Sequence, residues 1–337
     1  MLNRLEIENF TAFHELQLDF AAGVNVFVGA NGTGKTHLLK LLYAVAEAHR
    51  FGNDVAQKLL RVFLPEPKHL GRLVRRAQGG HSARVLVVKD GKELSFRFSS
   101  NQSKDRFSEF KSDWPEPTQS DGAPVFVPPK DMLAHAPGFR SLYDQKEVHF
   151  DETYRDILVR AFSPVSKGAP SQERRDLKAK LERVISGQVT IENENFYLRN
   201  AQGKLEFTLL AEGLRKFALL LQLIENDTLR QSALLFWDEP EANINPSAMK
   251  DLVELLLHLS REIGVQIFIA THSDFVLSEL DLQQRVGETR FFALYRENDR
   301  IAVEVAARAA ALSHNPIDQE NLRLYDEEIQ RVLGKAQ

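Results

Sequence analysis

The chain has 337 residues, 43% of them hydrophobic and 27% charged, with a formal net charge of −4 and no cysteine. That length and composition suit one large α/β domain with an inserted lobe, or two domains, around a sizeable core. They exclude disulfides, thiolate metal sites and a cysteine nucleophile; they supply no whole-molecule basic field for nucleic acid, and no apolar run reaches the ~18 residues of a membrane span.

Leu2, Leu5 and Ile7 alternate with polar residues and predict a first strand. This opening lacks the apolar stretch of a signal peptide, so a cytoplasmic protein with no membrane partner is expected. Residues 13–20 predict a second strand, and the short β-rich run 24–28 a buried one. A glycine loop at 29–34 leads into a strong helix pattern over 35–50. Residues 51–83 predict helix, carrying Lys68, Arg72, Arg75 and Arg76 as a basic cluster. Asp90-Gly91 predicts a hairpin between 84–88 and 93–98. The polar stretch 99–124 predicts a connector, 125–127 a strand, and 140–187 mostly helix, with one amphipathic helix at 171–185. Helix follows at 208–224, an apolar strand at 233–237, helix at 248–261, a strand at 265–270, helix from 274, a hairpin at 290–305 and a closing helix at 319–333. Strands alternating with helices predict a mainly parallel sheet.

Three segments carry chemistry. Residues 29–36, Gly-Ala-Asn-Gly-Thr-Gly-Lys-Thr, match GxxxxGK[ST] in full, with a strand before and a helix after. Gly29, Gly32 and Gly34 let the backbone N–H groups, those of Asn31 and Thr33 included, curl around a phosphate that the helix dipole also favours. Lys35 then reaches the β and γ phosphates of ATP, and Thr36 ligates Mg²⁺. The apolar run 234–237 delivers Asp238 and Glu239 to a strand's C-terminal edge, where ligands of α/β sheets bind. Asp238 is expected to hold Mg²⁺ through water and Glu239 to polarise the attacking water. A third apolar strand ends in Thr271-His272-Ser273, 34 residues after Asp238, and His272 is expected to sense the γ phosphate.

These segments, in this order, resemble the Walker A, Walker B and switch-histidine motifs of ABC-class ATPases. The opening Ile7-Glu8-Asn9-Phe10 and the run 238–246, Asp-Glu-Pro-Glu-Ala-Asn-Ile-Asn-Pro, look like the RecF, SMC and OLD-type branch. The resemblance covers roughly 1–50 and 205–285. It implies an ABC-ATPase-like P-loop fold with a mixed, mainly parallel sheet. The core is expected at 1–50 and 205–337, with 51–204 as an inserted, mostly helical lobe. One short amphipathic helix excludes long coiled-coil arms. With 65 residues after His272, no TOPRIM domain is expected.

The resemblance further implies a homodimer or higher oligomer in which Gly213, in a signature-like helix start, meets the ATP of the other subunit. Ala211 stands where that family usually has serine and Asn245 where it has aspartate, which implies slow hydrolysis; Arg215 or Lys216 is expected to supply charge instead. Lys130 and Gln145 are the candidates for the glutamine-loop contact. Two roles remain open: a switch controlling a separate effector protein in a bacterial defence or toxin–antitoxin module, or a RecF-like ATPase that binds DNA, for which the 68–76 cluster would be the contact.

Overall fold

Alternation at the N-terminus builds an antiparallel pair, β1 (Leu2–Phe10) and β2 (Phe13–Asp19), in the computed structural model, which describes residues 1–101, 105–118, 121–145, 149–166 and 168–334. Next come β3 (Val24–Gly29), α1 (Lys35–Arg50) and α2 (Val55–Phe63). Asp54 caps α2, its carboxylate accepting from the amides of Ala56 (2.7 Å) and Gln57 (3.2 Å). The hairpin of β4 (Ser82–Lys89) and β5 (Lys92–Ser99) turns through Asp90 and Gly91, at φ 49° and 73°, the pair of positive values that a two-residue turn of this hand requires.

Then follow β6 (Glu109–Ser112), β7 (Pro124–Val127), α3 (Phe139–Asp144), α4 (Glu152–Ala161) and α5 (Gln172–Ile185). A meander of β8 (Gln188–Glu192), β9 (Asn195–Asn200) and β10 (Gly203–Glu206) precedes α6 (Glu212–Glu225). The chain closes with β11 (Leu234–Asp238), α7 (Met249–His258), β12 (Gln266–Ala270), α8 (Asp274–Gln283), β13 (Thr289–Glu297), β14 (Arg300–Ala306) and α9 (Pro316–Gly334).

The central sheet has the order β14-β13-β3-β12-β11-β7; all neighbours are parallel except the β13–β14 hairpin. The strands β3, β11 and β12 are buried at every residue, as parallel strands covered on both faces must be. The period of two sends Val24, Val26, Leu235 and Trp237 into one core with α5 to α8. It sends Phe27, Phe236 and Phe268 into a second core with α1 and the antiparallel sheet β2-β1-β4-β5-β6. Buried Gln266 locks β1 onto this frame: its amide nitrogen donates to the carbonyls of Leu2 and Ala21, and its oxygen accepts from the Leu2 amide, each at 2.8 Å.

The stretch 51–204 is mixed rather than mostly helical. It holds α2 to α5, but it also supplies β4 to β6 to the antiparallel sheet, β7 to the central one and the meander. Helix ends at Phe63 in the 51–83 region, so the cluster Lys68, Arg72, Arg75 and Arg76 lies on a loop and a short 3₁₀ turn instead of along a helix face. The connector 99–124 contains β6; its residues 102–104 and 119–120, like 146–148 and 167 of the helical stretch, lie outside the described residues.

Candidate functional site

The phosphate-loop sequence occupies the turn from β3 into α1. Gly29 has φ 153°, and a Cβ there would sit 2.3 Å from the carbonyl oxygen of Leu294 on the neighbouring β13. Gly34 has φ 95°, and its Cβ would fall 2.5 Å from the Phe13 ring. Both positions thus demand glycine for space as well as for conformation. Intrahelical bonding begins with the Leu38 amide donating to Gly34 O, so the amides at 34–37 are the free helix-start donors of this cradle. The Lys35 ammonium folds back to donate to Gly29 O at 2.7 Å and Ala30 O at 3.1 Å. Burial pushes it down to about 8, against the pull of Asp238, Glu239 and Glu241.

Parallel pairing brings the other two motifs to the same edge. Asp238 stands in register with Ala270, and Ala270 with Phe27. The residues just beyond β11, β12 and β3 are therefore neighbours. Asp238 is 3% exposed. Burial, reinforced by Glu239, raises its carboxyl to about 6, although the Thr36 hydroxyl hydrogen-bonds to it. Glu239 takes a left-handed backbone, φ 50°, with its amide donating to Ala270 O at 2.9 Å. Its half-exposed carboxylate lies 4.0 Å from His272 Nε2. Burial, then Lys35, lowers the His272 imidazole below its ordinary value.

A divalent cation suits the Thr36–Asp238 pair. A buried carboxylate that its surroundings disfavour as an anion gains from a cation, and Mg²⁺ typically needs only one or two protein carboxylates when phosphates complete its shell. Among the described residues no cluster of three or more His, Cys, Asp or Glu forms a metal cage.

The remaining expectations divide. Gly213 is buried at the start of α6, where a Cβ would lie 2.7 Å from Asn243 O; the glycine has a packing reason within its own chain. Ala211, at the N-cap, is exposed and makes no side-chain cap. The idea that Arg215 or Lys216 replaces the missing serine is corrected. Arg215 pairs with buried Asp131 at 2.7 Å and donates to the carbonyls of Phe207 and Leu210, while Lys216 donates to Glu239 O at 3.1 Å. Asn245 accepts from the Ser247 amide and hydroxyl, both at 3.0 Å, and so caps its own 3₁₀ turn. Lys130 is exposed just past β7, whose Val127 is paired with Trp237 beside Asp238. Gln145 lies at the end of α3, exposed. Of the basic loop, Arg75 is spent on Asp299 O at 3.1 Å, and Lys68, Arg72 and Arg76 are exposed.

Two residues at this edge were not singled out from sequence. Glu241 accepts from the Thr271 hydroxyl and from the His272 amide, each at 2.8 Å. Its place two residues past Glu239 in Asp-Glu-Pro-Glu was the available signal. Arg296, exposed at the end of β13, brings its guanidinium within 3.9 Å of where a Gly32 Cβ would be. Only strand register, Leu294 opposite Gly29, places it there, and nothing in the local sequence could.

Residues 24–278 match a family described as "AAA domain, putative AbiEii toxin, Type IV TA system". The DNA replication and repair protein RecF of Lactobacillus acidophilus is 36% identical over 95 residues, 28% of this chain and 24% of that protein. RecF of Listeria welshimeri is 39% identical over 79 residues, 23% and 21% of the two. The chain thus aligns with about a quarter of the length of these curated relatives. Among solved structures, an SMC head bound to the C-terminal winged-helix domain of ScpA aligns over 92% of this chain and 98% of that one, with TM-score 0.57 and 14% identity. The Smc head domain of Pyrococcus furiosus with an extended coiled coil, bound to the C-terminal domain of ScpA, aligns over 98% and 99%, with TM-score 0.51 and 12% identity. Among the described residues no helix is long and apolar enough to cross a membrane. The chain belongs to the AAA_21 family and is an ABC-class ATPase of the RecF/SMC branch.

Proposed function

We propose that this ATPase is a nucleotide-driven switch that works as a dimer and controls a separate effector protein in a bacterial defence or toxin–antitoxin module. The observation that carries the chemistry is the convergence of Lys35, Thr36, Asp238, Glu239 and His272 at one edge of the parallel sheet. The cradle at 29–36, Asn31 and Thr33 included, binds the phosphates, with Lys35 swinging from its carbonyls to the β and γ oxygens. Thr36 and Asp238 would hold Mg²⁺, which when bound neutralises charge between those phosphates. Glu239 orients and deprotonates the attacking water, and His272 hydrogen-bonds the γ phosphate and reports its loss. Closure places Gly213 of one subunit over the ATP of the other. Because Ala211 brings no hydroxyl and both nearby cations are engaged, turnover is slow. In this reading 1–50 and 205–337 form the core and 51–204 the insertion.

The effector role is supported by the family match over most of the chain, whose description names a toxin–antitoxin system. The local identity to RecF supports DNA maintenance as the second reading. Phosphate release by wild type and Lys35→Ala, with and without duplex DNA, on protein purified from its native operon, separates them. The first reading expects a co-purifying protein whose complex ATP alters. A protein that comes alone, with Lys35-dependent turnover raised by DNA, would replace it with the second.

A further inference from the structure

Two loops must keep a fixed separation for hydrolysis at this edge: the one carrying Glu239 after β11 and the one carrying His272 after β12. Strand pairing ends at Asp238 and Ala270; just beyond it the Glu239 amide donates to Ala270 O at 2.9 Å and the Thr271 amide to Phe27 O at 3.0 Å, and neither bond reaches His272. The Glu241 side chain spans the gap. A single oxygen, Oε1 of Glu241, accepts both the Thr271 hydroxyl and the His272 amide at 2.8 Å. The Thr271 oxygen in turn accepts from the Ser273 amide at 3.0 Å, and the Ser273 hydroxyl accepts from the Val276 amide at 3.4 Å, capping α8. A continuous chain of bonds therefore runs from the Walker B loop through the histidine loop into α8. The other carboxylate oxygen of Glu241 is buried with no hydrogen-bond partner. Such a group is costly to retain, because burial disfavours the charge and one acceptor goes unused.

We propose that Glu241 is a positioning residue for hydrolysis: it clamps the histidine loop to the Walker B loop and so fixes His272 opposite Glu239. It touches no reacting atom in this account; it acts through the backbone of His272. The inference rests on the reading of Glu239 and His272 given above.

The test compares kcat and KM for Mg·ATP in the full chain. Glu241→Ala removes both bonds and frees the histidine loop; kcat is expected to fall roughly 10- to 100-fold, as loss of alignment does, with KM within about twofold because the cradle is untouched. Glu241→Gln retains an acceptor oxygen for both donors and is expected to keep kcat within about fivefold of wild type. Thr271→Val breaks one of the two bonds, and Glu241→Ala/Thr271→Val should be no slower than Glu241→Ala alone, since both act on one clamp. If Glu241→Gln is as slow as Glu241→Ala, the charge matters and the positioning role is overturned. It is equally overturned if Glu241→Ala turns over at the wild-type rate. Wild type failing to release phosphate in a Lys35-dependent way would instead strike the reading of the site itself.

Discussion

Asp238 is held 3% exposed at a strand end, and its carboxyl is raised to about 6 by burial and by Glu239. An acid whose folded pKa lies above its unfolded value loses stability as pH climbs between the two, and the loss is complete by pH 7. From an ordinary 3.8 to about 6, the cost is of order 3 kcal/mol. Asp238→Asn should therefore raise the melting temperature of the nucleotide-free protein at pH 7, with a smaller gain at pH 4, while abolishing Mg-dependent hydrolysis; a lower melting temperature at pH 7 would show that burial is not what penalises this group. Gly34 gives the opposite sign. A methyl there meets the Phe13 ring at 2.5 Å on a backbone of φ 95°. Gly34→Ala is expected to cost at least about 2 kcal/mol in a denaturant titration and to abolish ATP binding. Spacing and residue type pointed to most of these positions directly, because a phosphate-loop motif writes its glycines, lysine and threonine in one run. Glu241 and Arg296 escaped because their partners lie 30 residues or a strand away.

At the scale of elements, the strands and helices whose own pattern decides them matched their sequence: β3, α1 and the β4–β5 hairpin, with its Asp-Gly turn. The meander β8 to β10 was not legible. Its first turn uses Asn193 and Glu194, at φ 48° and 60°, so the glycine that marks such turns is absent. Likewise β6 is exposed at every residue and gives no alternation to read. The polar attachment of α4 was also hidden: beside the apolar contacts of Ile157, Leu158 and Ala161, it is made through a buried ion cluster. The Lys58 ammonium of α2 lies 3.1 Å from Glu47 on α1, 2.9 Å from Glu152 and 2.5 Å from Asp156 on α4. Lys58→Met would leave three carboxylates gathered without their shared cation. The expected loss is about 3–5 kcal/mol, read as a fall in the denaturation midpoint with little change in slope. A loss under 1 kcal/mol would mean the carboxylates find other partners.

At the scale of the whole molecule, the folding pattern explains why distant segments share one site. The parallel order β3-β12-β11-β7 brings residues 29–36, 128–130, 238–241 and 271–273 to a single edge, while α6 and α8 start there too. In the proposed function, closure of two such edges around ATP is the step that would convert hydrolysis into a signal, and Glu239 would be its timer. The most direct measurement follows phosphate release and molar mass together, for wild type and Glu239→Gln with Mg·ATP. The account predicts that the variant binds ATP, releases phosphate at least about 100-fold more slowly, and accumulates as a dimer that wild type forms only transiently. A Glu239→Gln protein that turns over ATP at the wild-type rate, or remains a monomer when saturated with ATP, would contradict it.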